Sequence, residues 1–327
     1  MYTPQTYFAA LVLMVICMFC WGSWPNLLKA LPKWRLDYFY LDYTVGFLLG
    51  AIMCAATLGS TDAVGIGFFT RLSAAGRLQA GCALLAGFLW NVGNVLLLNS
   101  IMMAGLAVAF PIASVPSLLL GVGISYWTQP IGNPRWLAAS VVLLLVAGRT
   151  NAAAYRRLSQ ASESRKPKGV GLALLAGILI GSFPPFVTRA MTGEGGLDPY
   201  TAALYLVLGA LPATLISVPM LLARPLVGYA GSLRGYLLGK TTWHLAGVLA
   251  GVVWSFGTVS NFLSAKIVGM AISWGFASGT TLVAALWGIL LWREFARAHR
   301  DAKILIGLSL ALYVIGVSVV AVAYSAA

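Results

Sequence analysis

Gly22-Ser23-Trp24-Pro25 returns as Gly181-Ser182-Phe183-Pro184, each phrase inside the first apolar run of one half of a 327-residue chain. Outward from the two phrases, the neighbours recur as well. Leu36-Asp37 matches Leu197-Asp198, Gly50-Ala51 matches Gly209-Ala210, Trp90 and Gly93 match Trp254 and Gly257, Gly105 matches Gly269, and Gly148 matches Gly316. The chain reads as two copies of one module.

The module is built for a bilayer. Hydrophobic residues make up 60% of the chain and charged residues 9%, the mean hydropathy is +0.89, and runs long enough to cross hydrocarbon recur from end to end. The expected fold is an all-α integral membrane protein with ten transmembrane helices, at 6–28, 41–59, 79–101, 104–127, 136–155, 169–190, 200–223, 243–265, 269–292 and 303–325. Its domains are a first five-helix repeat over 1–157, a cytoplasmic linker over 158–168 and a second, inverted repeat over 169–327. The first helix is expected to stay in place, because its apolar run outlasts a cleavable leader and lacks the basic start of one. The linker carries no phosphate-cradling loop, so ATP hydrolysis is not indicated.

A net charge of +13 would suggest nucleic acid in a soluble protein. Here the basic residues alternate from loop to loop, sixteen on the linker's side and five on the other. That asymmetry is a topology signal, and it puts both termini on the non-cytoplasmic side of a cytoplasmic (inner) membrane. Five helices is an odd number, so the second copy enters from the opposite face and the halves are related by an axis in the membrane plane. Inverted halves can exchange conformations, which suits alternating access to a site between them.

Polar side chains in hydrocarbon are costly and turn toward neighbouring helices or a wet cavity. Trp90 and Asn94 lie four apart with Asn91 on the flank; 164 residues on, Trp254, Thr258 and Asn261 form one helical stripe. The next helix gives Phe110, Ser114 and Ser117, and its counterpart Trp274, Ser278 and Thr281. With Trp24, Phe183 and Asn26 beside the prolines, these are the candidate substrate-binding residues: ring faces to stack on a flat solute, amides and hydroxyls to read its edge. No permanent charge lies on the stripes, which favours a neutral polar solute. The competing account is that Ser, Thr and Asn glue helices together and Trp anchors at interfaces.

Pro25 and Pro184 have no N–H to give, so each is expected to break or bend its helix as a hinge. Asp42, in Tyr40-Leu41-Asp42-Tyr43-Thr44, is the acid that opens an apolar span directly and has no repeat partner. It is the candidate for proton coupling, with an ordinary helix N-terminal acid as the alternative. Lys29 with Asp37, and Arg189 with Asp198, are candidate gate pairs at opposite faces; snorkelling cations and solvated acids are the other account. His244 and His299 stand apart and no catalytic or metal-ligand set appears, so neither an enzyme nor a cofactor is expected.

The five-plus-five layout resembles the drug/metabolite transporter superfamily. Trp21-Gly22-Ser23-Trp24-Pro25 followed by Tyr40-Leu41-Asp42-Tyr43-Thr44 is similar to the ureide permeases, with the glucose and rhamnose uptake branch similar in outline. The resemblance implies proton-driven symport of allantoin, uracil or related oxo-heterocycles. The long central insert of the plant members is absent here. The expected partners are thus a small-molecule substrate, a proton and the lipid bilayer, without nucleic acid; a homodimer is compatible with the sequence. Two rivals stay open: a sugar permease, and a membrane sensor or scaffold that transports nothing.

Overall fold

Thr6 opens the first helix, its hydroxyl accepting the Ala9 N–H at 3.1 Å in place of a helical partner. In a computed structural model, which describes residues 1–60, 68–158, 167–226 and 228–326, helices follow one another along the chain. They are α1 (Tyr7–Ser23), α2 (Pro25–Lys29), α3 (Leu36–Ala56), α4 (Phe68–Ser73), α5 (Arg77–Ala104), α6 (Leu106–Thr128) and α7 (Pro134–Leu158). Then come α8 (Pro167–Met191), α9 (Pro199–Ala223), α10 (Leu233–Leu237), α11 (Thr241–Ala277), α12 (Thr280–Leu290) and α13 (Arg300–Ser325). The described residues contain no strand. Most of the expected linker, 159–166, lies outside them.

Among the described residues nine helical stretches are long and apolar enough to cross a membrane. The eighth and ninth expected spans run together in Thr241–Leu290. Within it α11 leaves helical geometry at Gly269, whose φ of 78° and ψ of 156° are open to glycine and strained for other residues. Gly105, between α5 and α6, has nearly the same pair, 79° and 154°.

Two sequence expectations are corrected. α3 begins at Leu36 rather than 41, so Asp42 sits in its second turn and is buried, not at its start. α8 does not end at Pro184 or Pro185 but continues through both, packed on α5 and α6, so the expected break is absent there. α1, by contrast, does stop before Pro25, which takes the first position of α2 where a missing N–H costs nothing.

Small residues let the helix backbones meet. α3 lies on α11 and α9 on α5; α1 packs on α11 and α12, α8 on α5 and α6, and α7 on α13. A Cβ on Gly46 would overlap the carbonyl of Val248, and one on Gly209 the carbonyl of Leu84. Backbone contact this close is how membrane helices gain dispersion energy when lipid is as apolar as leucine.

Candidate functional site

Between these helices lies a cavity of about 430 Å³, continued by a smaller one of about 170 Å³ through shared walls at Trp21, Phe110 and Thr281. Its floor is indole. Trp90 and Trp254 have ring centroids 4.2 Å apart, Trp21 stacks on Trp254 at 5.5 Å and 12°, and Phe47 meets Trp254 edge-on at 4.2 Å. The Trp21 indole N–H donates to the Trp254 backbone carbonyl at 3.2 Å and to Thr258 Oγ1 at 3.3 Å, which fixes the Trp21 ring on α11. The break at Trp24-Pro25 leaves Trp24 tilted on Tyr43 at 4.7 Å, at the cavity wall.

The structure brings together Trp24, Pro25, Asn26, Lys29, Trp90, Asn94, Phe110, Trp254 and Thr281 around the larger cavity. Ser114, Ser117, Trp274 and Ser278 line the smaller one. Asn94, at the cavity wall, donates to the Tyr40 hydroxyl at 3.1 Å. Ser114 and Ser278 donate into their own helices, to Pro111 at 3.0 Å and Trp274 at 3.1 Å, so each offers mainly lone pairs.

Other expected residues are placed elsewhere. Asn91 is buried and ties α5 to α9 through the Ala210 carbonyl and Thr214, both at 2.7 Å, and it accepts from Tyr40 at 2.8 Å. Asn261 spans the Gly269 bend, donating to Ser273 Oγ at 2.8 Å. Thr258 serves Trp21, and Phe183 is fully buried edge-on to Trp274 at 5.0 Å. Pro184 lies in the α8 interior. These are packing positions.

The acids also differ from expectation. Lys29 pairs with Glu294, not Asp37, which takes Arg35 at 2.7 Å, two residues away. Asp198 caps α9, accepting from the backbone of Tyr200 at 2.9 Å, and pairs with Arg71 at 3.5 Å. Arg189 has no ion pair among the described residues. Asp42 does not line the cavity. Its carboxylate, 4% exposed, accepts from Tyr236 at 2.6 Å and meets His244 Nδ1 at 2.9 Å, joining α3 to α10 and α11. Partial burial, helped by the hydrogen bond and charge of Asp42, holds the Tyr236 phenol above its ordinary range, so it stays a donor.

Sequence reasoning passed over Trp21, Asn151, Tyr155, Trp292 and Glu294, all on the cavity wall. Trp21 was visible beside the repeated phrase. The rest have no repeat partner of like chemistry. Among the described residues no cluster of His, Cys, Asp and Glu could hold a metal ion. What the site can do is stack a flat or ring-shaped solute and hydrogen-bond its edge.

The ureide permease sequence model matches residues 149–323, more than half of the chain. The chain belongs to the ureide permease family. It is a multi-pass membrane protein and a transporter of small solutes, a class distinct from enzymes. Ureide permease 1 of Arabidopsis thaliana is 24% identical over 385 positions, covering 98% of each chain. Glucose uptake protein GlcU of Staphylococcus xylosus is 24% identical over 69% of this chain and 71% of its own. A solved crystal structure shares the fold, with a TM-score of 0.65 at 14% identity over 95% of this chain and 97% of its own.

Proposed function

We propose that the protein carries a neutral ureide or nucleobase, such as allantoin or uracil, across a cytoplasmic membrane by proton-coupled alternating access. The observation that carries the reading is the aromatic cavity, whose polar groups, drawn from both halves of the chain, are amides, hydroxyls and the paired charges of Lys29 and Glu294. The ureide permeases among the relatives point the same way.

Two inverted five-helix halves, 1–157 and 169–327 joined by 158–168, are part of the proposal. A straight helix of the 50 residues in Thr241–Leu290 would be roughly 75 Å long at 1.5 Å per residue, far beyond the ~30 Å of hydrocarbon. The bend at Gly269 supports two crossings there and ten in all. Contacts support the twofold relation: Gly46 meets Val248 as Gly209 meets Leu84, and Gly87 meets Leu206 as Gly251 meets Tyr43, which makes Gly209 the counterpart of Gly46, one helical turn before the Gly50 it matches in sequence. Such reciprocity is what a twofold axis produces. Five crossings per half then turn the axis into the membrane plane.

With both termini outside, the part of the cavity wall that carries Lys29 and Glu294, 43% and 23% exposed, lies toward the cytoplasm. Asp42 is the proposed proton site: a buried carboxylate whose two partners, His244 and Tyr236, lie across a helix interface. Uptake into vesicles by the wild-type protein should follow an imposed pH gradient, and Asp42→Asn should abolish that dependence. Gradient-driven uptake that survives in Asp42→Asn would remove Asp42 from the mechanism. The second reading, a hexose permease, is favoured by the same indole faces and the similarity to GlcU. A binding screen of allantoin, uracil and glucose on purified protein decides between them.

A further inference from the structure

We infer that Lys29 and Glu294 together read the amide edge of the solute, a ring N–H and its neighbouring C=O; this rests on the ureide reading above. Most polar groups at the cavity wall are already committed. Asn26 accepts from Trp292 at 2.6 Å and donates to the Ser23 carbonyl at 3.0 Å, Asn94 donates to Tyr40, and the Trp21 indole is bound to the Trp254 backbone.

Lys29 and Glu294 keep capacity. Their side chains are 43% and 23% exposed. The ammonium has three donors and spends one on Glu294; the carboxylate has room beyond Lys29 and the Tyr155 hydroxyl at 3.0 Å. They therefore present a donor beside an acceptor, the complement of N–H beside C=O. Their charges sum to zero, so a neutral solute meets a local dipole rather than a net charge. Asn151, one helical turn from Tyr155 on α7, adds a nine-tenths buried amide whose nitrogen has no partner.

The chain is bent to make this arrangement. Arg293 is the only described residue other than glycine with a positive φ, 50°, and it turns Glu294 back toward α12 after the helix has ended. Gly288 leaves room there: a Cβ on it would overlap the Glu294 carboxylate. A left-handed arginine is a local cost that packing elsewhere must sustain, and such costs gather at functional sites. The Lys29 ammonium is held in place over the Trp292 ring at 4.9 Å.

The test is calorimetric binding of hydantoin and its 1-methyl and 3-methyl derivatives, each lacking one ring N–H, to the purified full-length protein. For the wild type, one methylation should weaken binding on the order of 10- to 100-fold, the range for a hydrogen bond to a charged group. Glu294→Ala should weaken hydantoin similarly and erase the methylation penalty. Glu294→Gln, which keeps shape and one acceptor oxygen, should retain part of it. Lys29→Met should weaken hydantoin and keep the penalty. A full penalty persisting in Glu294→Ala, or in Glu294→Gln should the alanine variant not fold, with affinity unchanged, overturns this inference alone. A wild type that binds glucose and not hydantoin overturns the ureide reading and this inference with it.

Discussion

Trp254→Ala should cut solute uptake by on the order of 100-fold, the largest loss expected of any single cavity residue. Trp254 is the ring the others lean on: Trp90, Trp21 and Phe47 all contact it, and its carbonyl receives the Trp21 N–H. Truncation removes the stacking face and the ring packed on Trp21, while the Trp21 hydrogen bonds to the residue 254 carbonyl and to Thr258 survive. Base–aromatic stacking alone is worth about 1–3 kcal/mol, and the cavity left in the core costs about 3–5 kcal/mol of stability. Trp254→Phe separates the two losses, since a phenyl ring keeps a face and most of the volume. It should lower affinity by roughly 10-fold with little change in melting temperature. Uptake kinetics in proteoliposomes, read beside thermal unfolding in detergent, check both variants. Wild-type affinity in Trp254→Ala would mean the solute does not rest on this floor.

Valine at Gly46 or at Gly209 should abolish stable insertion, to the same degree at each position. In both cases the new side chain would fall on a backbone carbonyl, Val248 or Leu84, and backbone cannot swing aside as a side chain can. Overpacking of this kind costs about 3 kcal/mol or more. Gly81 and Gly123 provide the contrast, with nothing near a Cβ. Alanine there should be neutral or stabilising by about 1 kcal/mol. Size-exclusion profiles after a heat step measure all four. Unequal losses at Gly46 and Gly209 would argue against equivalent halves.

The all-α membrane fold and the placement of its apolar helices were legible because hydrocarbon thickness dictates long apolar runs, although nine such stretches stand among the described residues where ten were expected. The stripes were half legible. Periodicity places Trp90, Asn91 and Asn94 on adjoining faces of α5, but it does not say which neighbour lies over each. Tyr40 and Thr214 from other helices claim Asn91 and leave Asn94 at the cavity. Thr258 and Asn261 share a stripe with Trp254, yet one is consumed by Trp21 and the other by the Gly269 bend. Glu294 was hidden for a different reason. It follows the end of α12, and only the left-handed turn at Arg293 brings it back. Asp42 looked like a helix start because hydropathy rises there; the backbone is helical from Leu36, where Asp37 stands in the first turn.

The most direct test of a wet chamber shared by two inverted halves is the accessibility of the thiol in Asn94→Cys, with Cys17, Cys20, Cys54 and Cys82 replaced. An impermeant thiol reagent should reach that position from the cytoplasmic face in the resting protein, and from the outer face once solute and a pH gradient drive turnover. A thiol that reacts from neither face under either condition would contradict the account.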